Sequence, residues 1–332
     1  MTAPAIGWSE LDVAASGLDT QTVAWRINEM IDRRRLLAMT GAAALSPVLS
    51  PAIGRPQSSG LTKIIPSTGE VVPAIGMGTW LTFDVGSDEA LRMQRTQVLK
   101  TFFSLGGVMV DSSPMYRSSQ AVVGDALSRL ERPSALFAAD KVWVSGGDNG
   151  PDQIAQTRSR WGVEKFDLLQ VHNLVSWRAH LETLFQMKAA GSLRYVGVTS
   201  YAGIRYDEIE QIMRDQPIDF IQVTYNLADR EAERRLLPLA QEKGIAVIAN
   251  RPFREGALIN AMMRRPLPSL AEEIGAKNWA QFLLKFIISH PALTATIPAT
   301  RRIDHMIENM GALAGPVPDA AFRQEMIRAM DE

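Results

Sequence analysis

The chain has 332 residues, of which 46% are hydrophobic and 21% are charged, a composition typical of a globular protein. Its formal net charge is −1, and the only basic cluster lies near the N-terminus, so nothing in the charge pattern favours nucleic acid as a partner. The sequence has no cysteine, which excludes disulfides, thiol catalysis and thiolate metal sites, and no other spacing suggests a metal.

The first 60 residues contain an arginine cluster followed by a moderately apolar segment. Arg33, Arg34 and Arg35 precede an alanine-rich run that extends to residue 54. The run is too short for a membrane span, and Pro47 and Pro51 interrupt it. The arginines and the two leucines after them resemble a twin-arginine export signal, which predicts a periplasmic protein. The alternative is a surface helix with a basic start, in which case a cytoplasmic protein is expected.

The position of this leader bears on where the folded domain begins. Met30 is a candidate for the true start, which would make residues 1–29 a mis-assigned extension. The stretch RPQSSG at residues 55–60 is typical of a linker. We therefore predict an N-terminal extension, leader and linker over residues 1–60, and one folded domain over residues 61–332.

Beyond residue 61 the chain alternates between short apolar runs and amphipathic stretches. Eight runs have the length and composition of buried strands. They are predicted at residues 74–80, 108–111, 136–144, 166–172, 193–200, 219–226, 245–250 and 293–298. Stretches of helical spacing lie between them, for example at residues 88–105, 120–130, 206–214 and 231–243.

This alternation predicts the fold class. Strands that alternate with helices pair in parallel, and eight such units in about 240 residues predict an α/β protein with a (β/α)8 TIM barrel. A doubly wound sheet is the alternative, but Gly76 and Gly78 supply only two glycines of the GxGxxG pattern. A hairpin that turns at residues 67–69 is predicted to plug one end of the barrel, and residues 318–331 are predicted to form an extra C-terminal helix.

Four polar residues fall at the ends of neighbouring predicted strands. Asp111 ends the second strand, Tyr116 follows in its loop, Lys141 lies in the third strand, and His172 closes the fourth. Catalytic groups of a TIM barrel sit at the C-terminal ends of the strands, so these four are expected to converge. A buried charge is costly unless it is paired, and we predict that Asp111 pairs with Lys141. The alternative is four unrelated residues at strand ends.

Several motifs in order resemble the aldo-keto reductase family over residues 63–309. GMGTW at residues 76–80 is similar to the family's first strand, and the segment from Asp111 to Gly124 is similar to its Asp-Thr-Ala-x-x-Tyr-Gly motif and the helix after it. LRYVGVTSY at residues 193–201 resembles its fifth strand, and TIPATRRIDHMIEN at residues 296–309 its closing cofactor motif. The resemblance implies a barrel that reduces carbonyl groups with NADPH, or alternatively with NADH.

By this resemblance Asp111, Tyr116, Lys141 and His172 correspond to the family's catalytic tetrad. Carbonyl reduction needs hydride at carbon and a proton at oxygen, and a free tyrosine has a pKa of about 10. An ammonium beside the phenol lowers that pKa, which is the role expected of Lys141. Asp111 is expected to hold Lys141, and His172 to orient the carbonyl. Trp80 matches a position that lines the substrate pocket, with a core aromatic as the alternative.

The resemblance also implies a set of cofactor contacts. Asn250 stands where the family often stacks an aromatic ring on the nicotinamide, so its role is open, and Arg301 is the residue expected to meet the 2′-phosphate of NADPH. The implied cofactor-binding residues are Gly78, Thr79, Thr199, Ser200, Gln222, Asn250, Arg251, Thr300, Arg301, Glu308 and Asn309.

Two classes of function remain open at this stage. The first is an NADPH-dependent carbonyl reductase acting on an aldehyde, a ketone or a sugar, and the intact tetrad favours it. The second is a non-catalytic nucleotide-binding protein on the same barrel. We expect a small-molecule carbonyl as the partner, no stable membrane span, and a monomer or small homo-oligomer. His180 and His290 are isolated and are interpreted as helix-surface and helix-end residues.

Overall fold

The computed structural model describes residues 60–331, so the predicted leader and the extension before it lie outside the described residues. The described chain starts with a hairpin of β1 (Thr62–Ile65) and β2 (Glu70–Pro73). Its turn contains Gly69 at φ +75°, a left-handed conformation that suits glycine. The hairpin turns at the predicted place.

Eight further strands form one parallel sheet in chain order, which is the arrangement expected of a (β/α)8 barrel. Bridges from Ile75 to Thr296 and from Gly78 to Ala299 join its first and last strands. The strands are β3 (Met77–Gly78), β4 (Met109–Asp111), β5 (Phe137–Val142), β6 (Phe166–His172), β7 (Leu193–Thr199), β8 (Phe220–Thr224), β9 (Ala246–Asn250) and β10 (Ala295–Thr296). The predicted TIM barrel is confirmed.

The helices lie between the strands and after the last one. Side-chain caps fix where some of them begin: Asp88 accepts the backbone N–H of Leu91, and Asn278 accepts that of Gln281. The helices are α1 (Glu89–Ser104), α2 (Ser119–Arg129), α3 (Gly150–Trp161), α4 (Trp177–Ala189), α5 (Tyr206–Asp215), α6 (Leu236–Lys243), α7 (Ala257–Met262), α8 (Leu270–Glu273), α9 (Trp279–Ser289), α10 (Ile303–Gly311) and α11 (Ala320–Asp331).

The apolar core forms two layers because strand residues alternate between the two faces of the sheet. One layer lies between the sheet and the helices, and the other fills the barrel interior below the site. The interior layer contains Met109, Phe137, Leu168, Tyr195, Phe220 and Ile248, with Ile65 and Val72 of the hairpin. The Thr68 and Tyr195 hydroxyls are 2.7 Å apart, so the hairpin is tied to the barrel floor.

Two predictions about elements need correction. The helix predicted at residues 231–243 is divided into a 3₁₀ helix (Glu231–Arg234) and α6, because Arg235 adopts φ −143° between them. Proline is tolerated only near the start of a helix, so Pro238 suits a helix that begins at Leu236. The first and last barrel strands, predicted with several residues each, pair over only two. No helix within residues 60–331 is long and apolar enough to cross a membrane.

Candidate active site

The alternation along three neighbouring strands points the predicted catalytic side chains into the barrel. On β5 the apolar side chains of Phe137 and Ala139 join the interior layer, so Lys141 follows them inward. By the same spacing, Asp111 follows Met109 on β4, and Gln170 and His172 follow Leu168 on β6. All of them reach the carboxyl ends of the strands, where TIM barrels place their active sites.

Lys141 and Asp111 form a buried ion pair. The Nζ of Lys141 lies 2.5 Å from Oδ2 of Asp111 and donates to the Ser112 carbonyl at 2.8 Å. Gln222 donates to Oδ1 of Asp111 at 3.0 Å, and Gln170 at 3.4 Å, so the carboxylate has several donors. Burial is the largest single influence and disfavours the charge on Lys141, but the contributions of Asp111, Tyr116 and Asp140 together outweigh burial and raise the pKa of Lys141. The lysine is therefore a fixed cation.

Tyr116 ends a short 3₁₀ helix (Pro114–Tyr116) that follows β4. The Nζ of Lys141 lies 5.2 Å from the centre of its ring, and the rings of His172 and Trp80 lie 5.8 Å and 6.4 Å away. Burial raises the pKa of Tyr116 to about 12, although the Lys141 ammonium acts in the opposite direction. The expected lowering by Lys141 is present but smaller than the effect of burial, so the phenol stays protonated at neutral pH.

His172 is buried and neutral. Burial, followed by repulsion from the Lys141 ammonium, holds the pKa of His172 well below its usual value. Its Nδ1 lies 2.7 Å from the Ser113 hydroxyl, so Nε2 is the nitrogen available to a molecule in the barrel mouth. A neutral imidazole at this place can take part in a hydrogen bond without adding a charge.

The segment after Tyr116 is held by Asp84, from the loop that follows β3. The carboxylate of Asp84 accepts the Ser118 hydroxyl at 2.7 Å and its N–H at 3.3 Å, and it lies 3.3 Å from Arg117. Arg117 has φ +51°, which explains why a glycine is common at this position of the family motif. The Asp84 contacts stabilise the turn that positions the phenol.

A cavity of about 1070 Å³ opens at the carboxyl ends of the strands. Pockets for one small ligand usually measure about 300–1,000 Å³, so this cavity lies at the upper end of the range for ligand sites. The predicted site residues in its wall are Gly78, Thr79, Trp80, Asp111, Tyr116, His172, Thr199, Ser200, Gln222, Asn250, Arg251, Thr300, Glu308 and Asn309. Lys141 lies beneath the wall, paired with Asp111.

One part of the cavity wall is formed by polar side chains, which can make hydrogen bonds to an amide group. The Thr199 hydroxyl donates to Oε1 of Gln222 at 3.3 Å, and both residues line the cavity. Asn250 donates to the Ser200 carbonyl at 2.9 Å and accepts the Thr224 hydroxyl at 2.7 Å. These contacts use its oxygen and one of its two amide protons, so Asn250 shapes this wall and offers no aromatic surface.

The cavity wall also contains cationic side chains, the kind of group that binds phosphates. Arg251 is 2.5 Å from the Glu255 carboxylate, and both line the cavity together with Gly256, whose φ is +96°. Arg302 also lines it and is paired with Asp304. Arg301, the residue expected at the 2′-phosphate, is not among the lining residues.

Some residues that shape the site were not predicted from the sequence. Gln170 supports Asp111, Ser113 contacts His172, and Asp84 holds the turn after Tyr116. Gln170 lies two residues before His172 in a strand, and this spacing alone places both side chains on one face. The contacts of Asp84 are tertiary and leave no such pattern.

Comparison with known proteins identifies the family. The model of the Aldo/keto reductase family matches residues 74–329. The methylglyoxal reductase YeaE of Escherichia coli (strain K12) is 30% identical over 258 residues, covering 76% of this chain and 89% of that protein. The NADH-specific methylglyoxal reductase of the same organism is 24% identical over 251 residues, covering 65% of this chain and 73% of that protein.

A solved structure agrees with this assignment. An aldo/keto reductase from Klebsiella pneumoniae, in complex with NADP and acetate, superposes with a TM-score of 0.67 at 25% identity. The superposition covers 80% of this chain and 94% of that one. Because the family model covers most of the chain and the relatives align over most of their own length, the protein belongs to the aldo/keto reductase family.

Proposed function

We propose that the protein reduces the carbonyl group of a small aldehyde, ketone or sugar to an alcohol, with Tyr116 as the proton donor. The protein is an NAD(P)H-dependent oxidoreductase. NADPH, with NADH as the alternative, supplies the hydride when it is bound. The observation that supports the role of Tyr116 is the buried Lys141–Asp111 pair beside its ring at the base of the cavity.

The residues around Tyr116 favour proton donation. The Lys141 ammonium stabilises the phenolate that forms when the proton leaves, and it thereby acts against burial, which raises the pKa of the phenol to about 12 and opposes donation. Asp111 fixes the position of that ammonium and is itself fixed by Gln222. General acid assistance of this kind contributes about 10²- to 10⁴-fold in rate.

The remaining residues would bind and orient. His172 would donate a hydrogen bond to the carbonyl oxygen and hold it near the phenol, and Trp80 would cover the substrate from the side. Thr199, Ser200 and Gln222 would hold the amide of the nicotinamide. Residues along the cavity would hold the rest of the nucleotide: Gly78, Thr79, Asn250, Arg251, Thr300, Glu308 and Asn309.

The proposal is tested with Tyr116→Phe, which removes one oxygen and keeps the ring. NADPH oxidation in the presence of a carbonyl is followed by absorbance, with methylglyoxal as the first probe because two relatives are named for its reduction. We expect kcat to fall by about 10² or more, and the Kd for NADPH to stay within about twofold. A variant with full activity would favour the non-catalytic nucleotide-binding protein instead.

We also propose that the N-terminal segment is a twin-arginine-like leader and that the protein is exported to the periplasm. The cluster of Arg33, Arg34 and Arg35 before an alanine-rich run supports this proposal. Replacing all three with lysine keeps the positive charge and should leave the protein in the cytoplasm. Equal periplasmic fractions of the wild type and the triple variant would contradict the proposal.

A further inference from the structure

Ser113 contacts both His172 and the short segment that carries Tyr116. It is fully buried and lies two residues after Asp111. Its hydroxyl oxygen lies 2.7 Å from Nδ1 of His172 and accepts the backbone N–H of Met115 at 3.2 Å. Met115 is inside the 3₁₀ helix that ends at Tyr116. One hydroxyl therefore connects the imidazole with the segment that carries the phenol.

Counting donors and acceptors favours one direction for the hydrogen bond between Ser113 and His172, because the Ser113 proton needs an acceptor. A serine hydroxyl has one proton to donate, and the Met115 N–H occupies one of its acceptor positions. Among residues 60–331, the partner that the structure gives for that proton is Nδ1 of His172. A neutral imidazole carries one N–H, so accepting a bond at Nδ1 places the proton on Nε2.

We propose that Ser113 is a positioning residue whose hydroxyl selects the Nε2–H tautomer of His172 and so makes the imidazole a hydrogen-bond donor toward the cavity. This inference rests on the proposed function, since a donor there is useful only when a carbonyl oxygen occupies the cavity. The opposite tautomer would present a nitrogen lone pair to the oxygen and repel it.

Ser112 provides a matched control next to Ser113 in the chain. Both serines are fully buried, and both carry a hydroxyl near the end of β4. The Ser112 hydroxyl accepts the Thr79 hydroxyl at 2.9 Å, whereas the hydroxyl beside Nδ1 of His172 belongs to Ser113. Ser112→Ala and Ser113→Ala therefore make the same chemical change, and only the second removes the partner of Nδ1.

The tautomer can be determined from the ¹⁵N chemical shifts of the imidazole ring, without any activity measurement. The ¹⁵N-labelled protein has four histidines, and the His172 signals are assigned by their loss in His172→Gln. We expect the Nε2–H pattern in the wild type and in Ser112→Ala, and a shift toward Nδ1–H in Ser113→Ala. An Nδ1–H pattern in the wild type, or an unchanged pattern in Ser113→Ala, would overturn the inference.

Activity provides the second measurement. We expect kcat/KM for carbonyl reduction to fall about three- to tenfold in Ser113→Ala, the factor that corresponds to one neutral hydrogen bond, with an unchanged Kd for NADPH. Ser113→Thr keeps the hydroxyl and should retain the Nε2–H pattern. Wild-type kcat/KM in Ser113→Ala would overturn the positioning role. A wild type that reduces no carbonyl would instead contradict the proposed function, and the ring spectrum would still decide the tautomer.

Discussion

At the scale of single residues, Lys141 combines a structural and a proposed chemical role. Its ammonium is buried against Asp111 and lies beside the Tyr116 ring. Lys141→Met should lower kcat about as much as Tyr116→Phe, and the double variant should lose little more, because both residues serve one proton transfer. Steady-state kinetics of the two single variants and the double variant checks this. Multiplicative losses would show that the residues act independently.

Lys141→Met should also destabilise the fold. Removing one partner leaves Asp111 as an uncompensated buried charge, at a cost of about 3–5 kcal/mol in the free energy of unfolding. Arg328→Met is the control, since Arg328 and its partner Glu325 are 67% and 46% exposed, and such pairs contribute about 0–1 kcal/mol. Urea unfolding measures both values. Similar losses in the two variants would mean that burial of the pair has no special effect.

Arg302 is a second candidate, beside Arg301, for contact with the 2′-phosphate of NADPH. It lines the cavity and is paired with Asp304, whereas its neighbour Arg301 is not part of the wall. A hydrogen bond to a charged group contributes about 1.5–3 kcal/mol, so Arg302→Ala should weaken NADPH binding about tenfold or more and spare NADH. Fluorescence titration with both nucleotides measures the ratio.

Arg301→Ala is the natural control for this measurement, because it removes the same charge one position away. It should leave the ratio of the two affinities close to that of the wild type. A larger effect at Arg301 would restore the assignment that the sequence resemblance implied. The sequence could not separate these two arginines, since adjacent residues in a loop have no fixed periodicity.

Single-residue predictions from the sequence worked where a strand fixed the direction of a side chain. Asp111, Lys141 and His172 lie in strands, and the period of two decides which face they take. The pairing of Lys141 with Asp111 was predicted from the cost of an isolated buried charge, and the structure contains that pair. The pKa of Tyr116 could not be predicted, because it depends on how deeply the loop is buried.

At the scale of elements, Asp140 joins β5 to two helices on the outside of the barrel. Gln120 of α2 donates to both carboxylate oxygens at 3.1 Å, and Trp161 of α3 donates to Oδ2 at 2.6 Å. The backbone N–H of Lys141 donates to Oδ1 at 2.6 Å. The strand that carries Lys141 is thus fixed against α2 and α3 by one buried carboxylate.

This carboxylate should make stability depend on pH. Burial raises the pKa of Asp140 to about 7, so between about pH 4 and pH 7 the folded protein keeps a proton that the unfolded chain has released. Asp140 should therefore contribute a fall in stability as pH rises through this window, by at most about 4 kcal/mol. His172 and His290, whose pKa values are lowered by burial, contribute a rise in part of the same window, and Asp140→Asn should remove only the falling contribution. Urea unfolding of both proteins at several pH values measures it, and equal slopes would contradict the assignment.

Element positions were predicted best where apolar periodicity was strong. The strand at residues 166–172 coincides with β6, a run of buried residues. Other features depended on tertiary contacts: His180, expected on a helix surface, is buried with Nε2 at 2.8 Å from the Val144 carbonyl. Trp161, the last residue of α3, is fully buried. A single aromatic or histidine carries no periodic signal.

At the scale of the whole molecule, nucleotide binding should stabilise the barrel. The cavity wall draws on residues in or after β3, β4, β6, β7, β8, β9 and β10, so a bound nucleotide would connect elements that are far apart in the chain. At a concentration 100 times the Kd, a ligand that binds only the folded state contributes about 2.7 kcal/mol. NADPH should then raise the Tm by about 5 °C. Differential scanning fluorimetry measures the shift, and an unchanged Tm would contradict a nucleotide site.

The whole fold was predictable because eight strand-helix units leave few arrangements open. The order of strands in the sheet follows the order in the chain, so no distant pairing had to be guessed. The depth of the cavity could not be predicted, since loops such as residues 251–256 form its wall and their backbone includes left-handed residues. The boundary between leader and barrel stays a prediction.

The residues proposed for proton transfer and most of those proposed to bind the nucleotide come from different parts of the chain. Asp111, Tyr116, Lys141 and His172 all come from β4 to β6 and the loop between the first two, within residues 109–172. Most residues proposed to hold the nucleotide come later, from β7 onward. A crossover between β6 and β7 would divide the two sets, provided that the second half keeps Gln222, which donates to Asp111 from β8. A chimera that takes its second half from such a relative should inherit new nucleotide selectivity and keep the proton donor of the first half. Selection can adjust the two properties separately, because few side chains serve both.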